Sequence, residues 1–156
     1  MKLSENFLLS EFVKSQTAER KGINNVPGQQ HINNLKLLCM NILQPVRDHF
    51  GSFTPSSGYR CPELCVAIGS KETSQHAKGQ AADFEVFGKD NKEVANWIID
   101  NLEYDQLILE CYKEGEANSG WIHVSYICDA IYHDTNRNQK LIYQVNKGYT
   151  KVAERF

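Results

Sequence analysis

The residue that most restricts how this chain can fold is Asp83, which stands in the apolar run Gln80-Ala81-Ala82-Asp83-Phe84-Glu85-Val86. Alternation across that run predicts a strand, with Ala82, Phe84 and Val86 on one face and Ala81, Asp83 and Glu85 on the other. A carboxylate taken into such surroundings costs several kcal/mol unless a cation, a metal or a set of donors meets it. Two readings are open: an aspartate that holds a turn or an arginine, and a metal ligand. The preceding segment, Ser74-Gln75-His76-Ala77-Lys78-Gly79, sharpens the second by placing an imidazole in the loop that enters the strand.

A second histidine adds to it. In Trp121-Ile122-His123-Val124-Ser125-Tyr126, alternation sets Ile122, Val124 and Tyr126 against Trp121, His123 and Ser125. A lone strand histidine is more often a satisfied structural group than a ligand. Two histidines and a carboxylate, however, form the three-ligand set that leaves a fourth zinc position open, as catalytic zinc sites require. The segment Asp105 to Cys111 predicts a neighbouring strand with Leu107, Leu109 and Cys111 on one face and Gln106, Ile108 and Glu110 on the other. Paired with the His123 strand, it brings Glu110 to the site face, where a carboxylate can take a proton from water. The plain alternative is a solvated strand carboxylate.

The rest of the chain supplies a frame for these residues. At 156 residues it is the length of one ordinary domain, expected over residues 1–156. From Ile32, the positions Leu35, Leu38, Cys39, Ile42, Leu43, Val46 and Phe50 recur at helical spacing, with Pro45 a candidate kink and Gly51 a stop. A short helix is expected over Phe7–Ser15, capped by Ser10, then a polar connector from Thr17 to Gln30. Ser52–Ser57 reads as a strand, Pro62–Ile68 as a helical turn and Asn91–Leu102 as a helix. Gln106–Tyr112, Trp121–Cys128 and Lys140–Val145 read as strands of an antiparallel meander, the first two joined by a hairpin loop. Helices before a small antiparallel sheet predict an α+β domain with helices packed on one side.

Composition removes other classes. A formal charge of −2 offers no field for a phosphate backbone, so no nucleic-acid partner is expected. No run approaches the ~20 apolar residues of a membrane span, and the opening residues do not form a signal-peptide core. Cytoplasmic synthesis is expected, with action at a cell wall requiring lysis or a pore, and a monomer is expected. The cysteines, Cys39, Cys61, Cys65, Cys111 and Cys128, read as free packing thiols; Cys61 and Cys65 have no partner pair with zinc-finger spacing. His31, His49 and His133 read as surface residues, Trp97 as core, and Lys147–Phe156 as a solvated tail.

Taken together, Ser74-x-His76-x-x-Gly79-x-Ala81-x-Asp83 and Trp121-Ile122-His123-Val124-Ser125 resemble the zinc D-Ala-D-Ala carboxypeptidase family, in the wider group that holds lysostaphin-type peptidases and the hedgehog signalling domain. Leu9-Ser10-Glu11-Phe12 and Ser57-Gly58-Tyr59-Arg60 resemble its single-domain phage and prophage branch. The likeness runs from about Leu3 to about Gly148.

The resemblance implies that His76, Asp83 and His123 bind one zinc ion, and that Arg60 clamps a peptide carboxylate or the oxyanion. The plain reading of Arg60 is a structural pair with an acid such as Glu63. The resemblance makes Ser74 a hydrogen-bonding residue beside the site, against a simple loop cap, and adds Trp121 to the substrate contacts. Many family members carry an acid three residues before the last histidine, where this chain has Gly120. The hedgehog branch carries a glutamate at the end of the preceding strand, which assigns the base to Glu110, with Glu114 and Glu116 as loop alternatives. The implied activity is zinc-dependent hydrolysis of an amide bond in peptidoglycan stem peptides, by a carboxypeptidase or an endolysin-like endopeptidase. Because hedgehog domains keep the zinc site and act mainly as ligands, the alternative is a zinc-stabilised module that binds cell wall or a partner without cutting.

Overall fold

The structure, a computed structural model, describes residues 1–127, 131 and 133–156. The sheet has five strands, β1 (Ala81–Phe84), β2 (Gln106–Glu110), β3 (Trp121–Ser125), β4 (Gln139–Gln144) and β5 (Gly148–Val152), in the order β1-β3-β2-β4-β5. The expected hairpin of β2 and β3 is present, with Glu110 opposite Trp121 and Ile108 opposite His123. β1 pairs antiparallel with the far side of β3, which sets Asp83 directly across from His123.

The α+β class holds, but the pure antiparallel meander does not, because β4 returns parallel to β2. The tail expected in solvent instead contributes β5, antiparallel to β4. Its last residue is docked too: Phe156 exchanges two hydrogen bonds with the Asn96 side chain, at 2.9 and 3.3 Å. Pairing partners so distant along the chain leave no local trace. Ser52–Ser57 is extended but forms only the single bridge from Ser57 to Asp83. β3 ends at Ser125, and Cys128 lies outside the described residues.

The helices are α1 (Ser10–Val13), α2 (Gln16–Lys21), α3 (Gln29–Leu38), α4 (Gln44–Phe50), α5 (Pro62–Ala67) and α6 (Asn91–Asn101). Ser10 begins α1 and does not cap it. The expected connector contains α2, because the Ser15 hydroxyl accepts from Ala18 N–H and Gly22 closes the end in the left-handed region. α3 and α4 are joined by a wide π turn over Cys39–Leu43, where Gln44 N–H reaches back to the Cys39 carbonyl. Pro45 follows it, and the wider turn accommodates a residue with no N–H to donate.

One face of the sheet is apolar. Ala82, Phe84, Leu107, Leu109, Ile122 and Val124 pack there against Leu35, Leu38, Ile42, Leu43 and Val46 of the long helical run and Val94 and Ile98 of α6. Each such large side chain, fully buried, contributes about 1.5–3 kcal/mol. Period-two alternation then presents Asp83, Ile108, Glu110, Trp121 and His123 on the opposite face.

Two local devices hold that face. Asp105, fully buried just before β2, accepts from Arg137 Nε and Nη2 at 2.9 and 2.7 Å, from Arg137 N at 3.2 Å and from Gln75 Nε2 at 2.8 Å. Burial opposes its ionisation, but these donors outweigh burial and hold its carboxyl below the usual range. Gly120, which turns the chain into β3 at φ +65°, leaves no room for a side chain: a Cβ there would lie 2.0 Å from the Glu110 carbonyl oxygen.

Two outcomes follow. A lowered carboxyl pKa stabilises the fold above the ordinary value of about 3.9 and loses that contribution as pH falls below it. Urea unfolding should therefore show Asp105→Asn about 2–3 kcal/mol less stable at pH 7, with the gap to wild type narrowing as pH drops through that range. Gly120→Ala should cost about 2 kcal/mol or more in the same assay; an unchanged unfolding midpoint would contradict the packing just described.

Candidate metal and catalytic site

Asp83 is held from both sides of its strand. Its backbone exchanges hydrogen bonds with Ser57, at 2.9 Å from Asp83 N and 3.4 Å from Ser57 N, and its carbonyl also accepts from Ser56 N at 2.8 Å. Its side chain points into a cleft of about 1040 Å³. There Oδ1 lies 2.9 Å from His123 Nδ1 and Oδ2 lies 3.5 Å from His76 Nε2. Burial alone would raise its pKa, but the hydrogen bond from His123 outweighs burial and keeps the carboxylate ionised.

His76 sits in a 3-10 turn, Gln75–Lys78, in which the His76 N–H donates to the Ser74 hydroxyl and whose end is closed by Gly79 N–H donating to the Gln75 and His76 carbonyls. Its Nδ1 lies 2.7 Å from the Gly58 carbonyl oxygen. That contact places the ring proton on Nδ1 and leaves Nε2 as a lone pair facing Asp83. Burial lowers the pKa of His76, which keeps the ring in the neutral form a ligand needs.

Gly58 itself explains why the two separated motifs of the N-terminal third belong together. Tyr59 N–H donates to the Phe12 carbonyl at 2.7 Å, and a Cβ on Gly58 would come within 2.8 Å of that same oxygen. The Leu9–Phe12 segment thus seats Ser57–Arg60, and the Gly58 carbonyl orients His76. Arg60 N–H in turn donates to the His76 carbonyl at 3.1 Å.

The donor set fits a zinc ion. The three candidate ligand atoms lie within 4.8 Å of one another, and the nearest approaches of the two imidazoles to Asp83, 2.9 Å to Oδ1 and 3.5 Å to Oδ2, are close to the roughly 3.3 Å that separates ligands at 2.0–2.1 Å from a tetrahedral zinc. Two imidazoles with one carboxylate is a borderline donor set that suits zinc better than calcium or magnesium.

Around the cluster, the cleft gathers Glu110, Arg60, Ser74 and Trp121. Glu110 is half-buried on β2, one strand from His123; burial and then the Asp83 charge raise its pKa, partly offset by His123, by a hydrogen bond from Trp121 and by Arg60. Arg60 has no ion-pair partner among the described residues, so the pair with Glu63 is not formed. Its buried Nε has no hydrogen-bond partner among the described residues, the condition of a group that a ligand would complete. Ser74 borders the cleft while its hydroxyl caps the 3-10 turn. Glu114 pairs with Lys92 at 2.8 Å in the exposed loop, and Glu116 is exposed there too. Gly120 has no room for the acid that the resemblance led one to look for at that position, because its missing side chain is what lets the turn close over Glu110.

Sequence reasoning missed several lining residues. Gln75 and Asp105 tie the His76 turn to β2, and Arg137, Leu141, Tyr143, Tyr149 and Lys151 extend the cleft wall from β4, β5 and the segment before them. The alternation of Tyr149 and Lys151 was the available signal. Cys65 donates to the Arg60 carbonyl at 3.3 Å, and Cys39, Cys61, Cys65 and Cys111 are free thiols. His49 is exposed and stacks on Trp97, His133 is exposed, and His31 is partly covered, stacked on Tyr59. No helix among the described residues is long and apolar enough to cross a membrane.

No curated protein matches the chain. Residues 5–125, which contain His76, Asp83, Glu110 and His123, match the family described as Peptidase M15. The chain therefore belongs to the M15 peptidases, the zinc D-Ala-D-Ala carboxypeptidase family.

Proposed function

We propose that the chain is a zinc-dependent peptidase that hydrolyses an amide bond in peptidoglycan stem peptides, as a D-Ala-D-Ala carboxypeptidase or an endolysin-like endopeptidase of phage or prophage type. The observation that carries this reading is the meeting, in one cleft, of a His/Asp/His cluster with a half-buried glutamate one strand away and an arginine, Arg60, that has no acid partner among the described residues.

His76 through Nε2, Asp83, and His123 through Nδ1 would hold one zinc ion, which when bound polarises the scissile carbonyl and makes water more acidic. Glu110 accepts a proton from the attacking water and hands it to the leaving amine. Its partial burial, by raising its pKa, makes it a better proton acceptor than an exposed glutamate. Arg60 receives the negative charge that develops on the carbonyl oxygen, or the terminal carboxylate of the peptide. Trp121 steadies Glu110 and, with Ser74, borders the bound peptide.

Digestion of purified peptidoglycan, followed by mass analysis of the released peptides, tests the activity and the bond together. Products should vanish with a chelator and return on adding zinc; no chelator-sensitive product from any wall type would favour the non-cutting binding module. Glu110→Gln should retain one equivalent of zinc and lose roughly 10²- to 10⁴-fold in turnover, and turnover near wild type would remove Glu110 from this role.

A further inference from the structure

The site face continues well past the metal cluster. Asp83 is paired with His123, His123 with Ile108, Ile108 with Leu141 and Leu141 with Lys151, so one row of residues crosses all five strands. The adjacent row runs Trp121, Glu110, Tyr143, Tyr149. The far half of both rows, Leu141, Lys151, Tyr143 and Tyr149, comes from β4 and β5, which lie beyond the residues 5–125 that match the family.

The wall has a definite chemistry. Tyr143 and Tyr149 form a ring pair at 4.8 Å between centroids, and Tyr149 lies near enough to Glu110 for that carboxylate, after burial, to raise its phenol pKa. Lys151 lines the cleft beyond them and has no ion-pair partner among the described residues. Lys71, from the loop after α5, lines the same cleft and is likewise without one. The chain as a whole carries a formal charge of −2, so a cleft whose outer reach holds two uncompensated cations runs against the overall sign and attracts anionic ligands locally.

Three strand spacings separate His123 from Lys151, about 14 Å, the span of about four residues of extended peptide. We propose that the β4–β5 wall is a binding subsite for a substrate carboxylate, which Lys151 receives about four residues from the bond cut while Tyr143 and Tyr149 pack against the intervening peptide. The substrate class is thus an anionic peptide with an acidic group remote from its reacting end. The inference rests on the peptidase reading above for the position of the reacting bond.

Fluorescent peptides carrying glutamate or glutamine at successive positions on either side of the bond test it, with hydrolysis and binding measured on the same set. Wild type should prefer the acid over the amide by roughly three- to tenfold, at a position about four residues from the bond, through KM and not kcat, and the preference should shrink with salt. Lys151→Gln should abolish the preference, and Lys151→Glu should reverse it in favour of a lysine-bearing peptide. A preference that survives in Lys151→Gln, or none at any position, overturns the subsite. Anisotropy binding separates the two readings: peptides that bind with a Lys151-dependent acid preference but are never cleaved uphold the subsite and overturn the peptidase.

Discussion

Asp83 is the point on which both the fold and the site depend. Its carboxylate lies on the cleft face, opposite Ala82 and Phe84 and largely covered, where one oxygen meets His123 Nδ1 at 2.9 Å and the other faces His76 Nε2 at 3.5 Å. Each imidazole is positioned by a different part of the chain. His123 stands opposite on the paired strand, whereas His76 is brought in by a tight turn and locked by the Gly58 carbonyl. Gly58 is held by its close contact with Phe12. A line of contacts therefore runs from the first helix to the ligand cluster, and loosening any part of it would leave a buried charge without its partners.

The sheet separates two tasks by its pleat. One face carries the apolar side chains that α3, α4 and α6 cover, and stability comes from there. The other face carries the carboxylates Asp83 and Glu110, the imidazole of His123 and the cation of Lys151, and is left open as a cleft. The candidate site is thus built on the sheet, with side-chain directions dictated by the backbone. Asp105 extends the same economy: one carboxylate fixes the start of β2, the turn that carries His76 and the segment that leads into β4.

Glu110 owes its place to the turn at Gly120. A side chain at residue 120 has no space here, since the residue adopts a positive φ with its α-carbon against the Glu110 backbone. The turn that excludes an acid at 120 is the turn that sets Glu110 beside Trp121 at the strand end. Glu110 thus lines the cleft beside Trp121, next to the turn that Gly120 makes.

Alternation with period two told which residues of β1, β2 and β3 share a face, so Asp83, Glu110 and His123 were legible as one group from their spacing and from the hairpin loop between the last two. His76 was legible because it lies only a few residues upstream of Asp83. These are short-range relations, and short-range relations are written in the order of the residues. The parallel return of β4 to β2, the pairing of β5, the burial of Asp105 by Arg137 and Gln75, and the contact of Gly58 with Phe12 join segments far apart along the chain. Only packing decides such pairings, because the entropy of closing long loops is recovered by contacts that exist nowhere but in the folded state. The sequence by itself thus determined the chemistry of the cluster and the face it occupies. The tertiary structure decided what surrounds it, how far the cleft extends, and that its outer wall carries Tyr143, Tyr149 and Lys151.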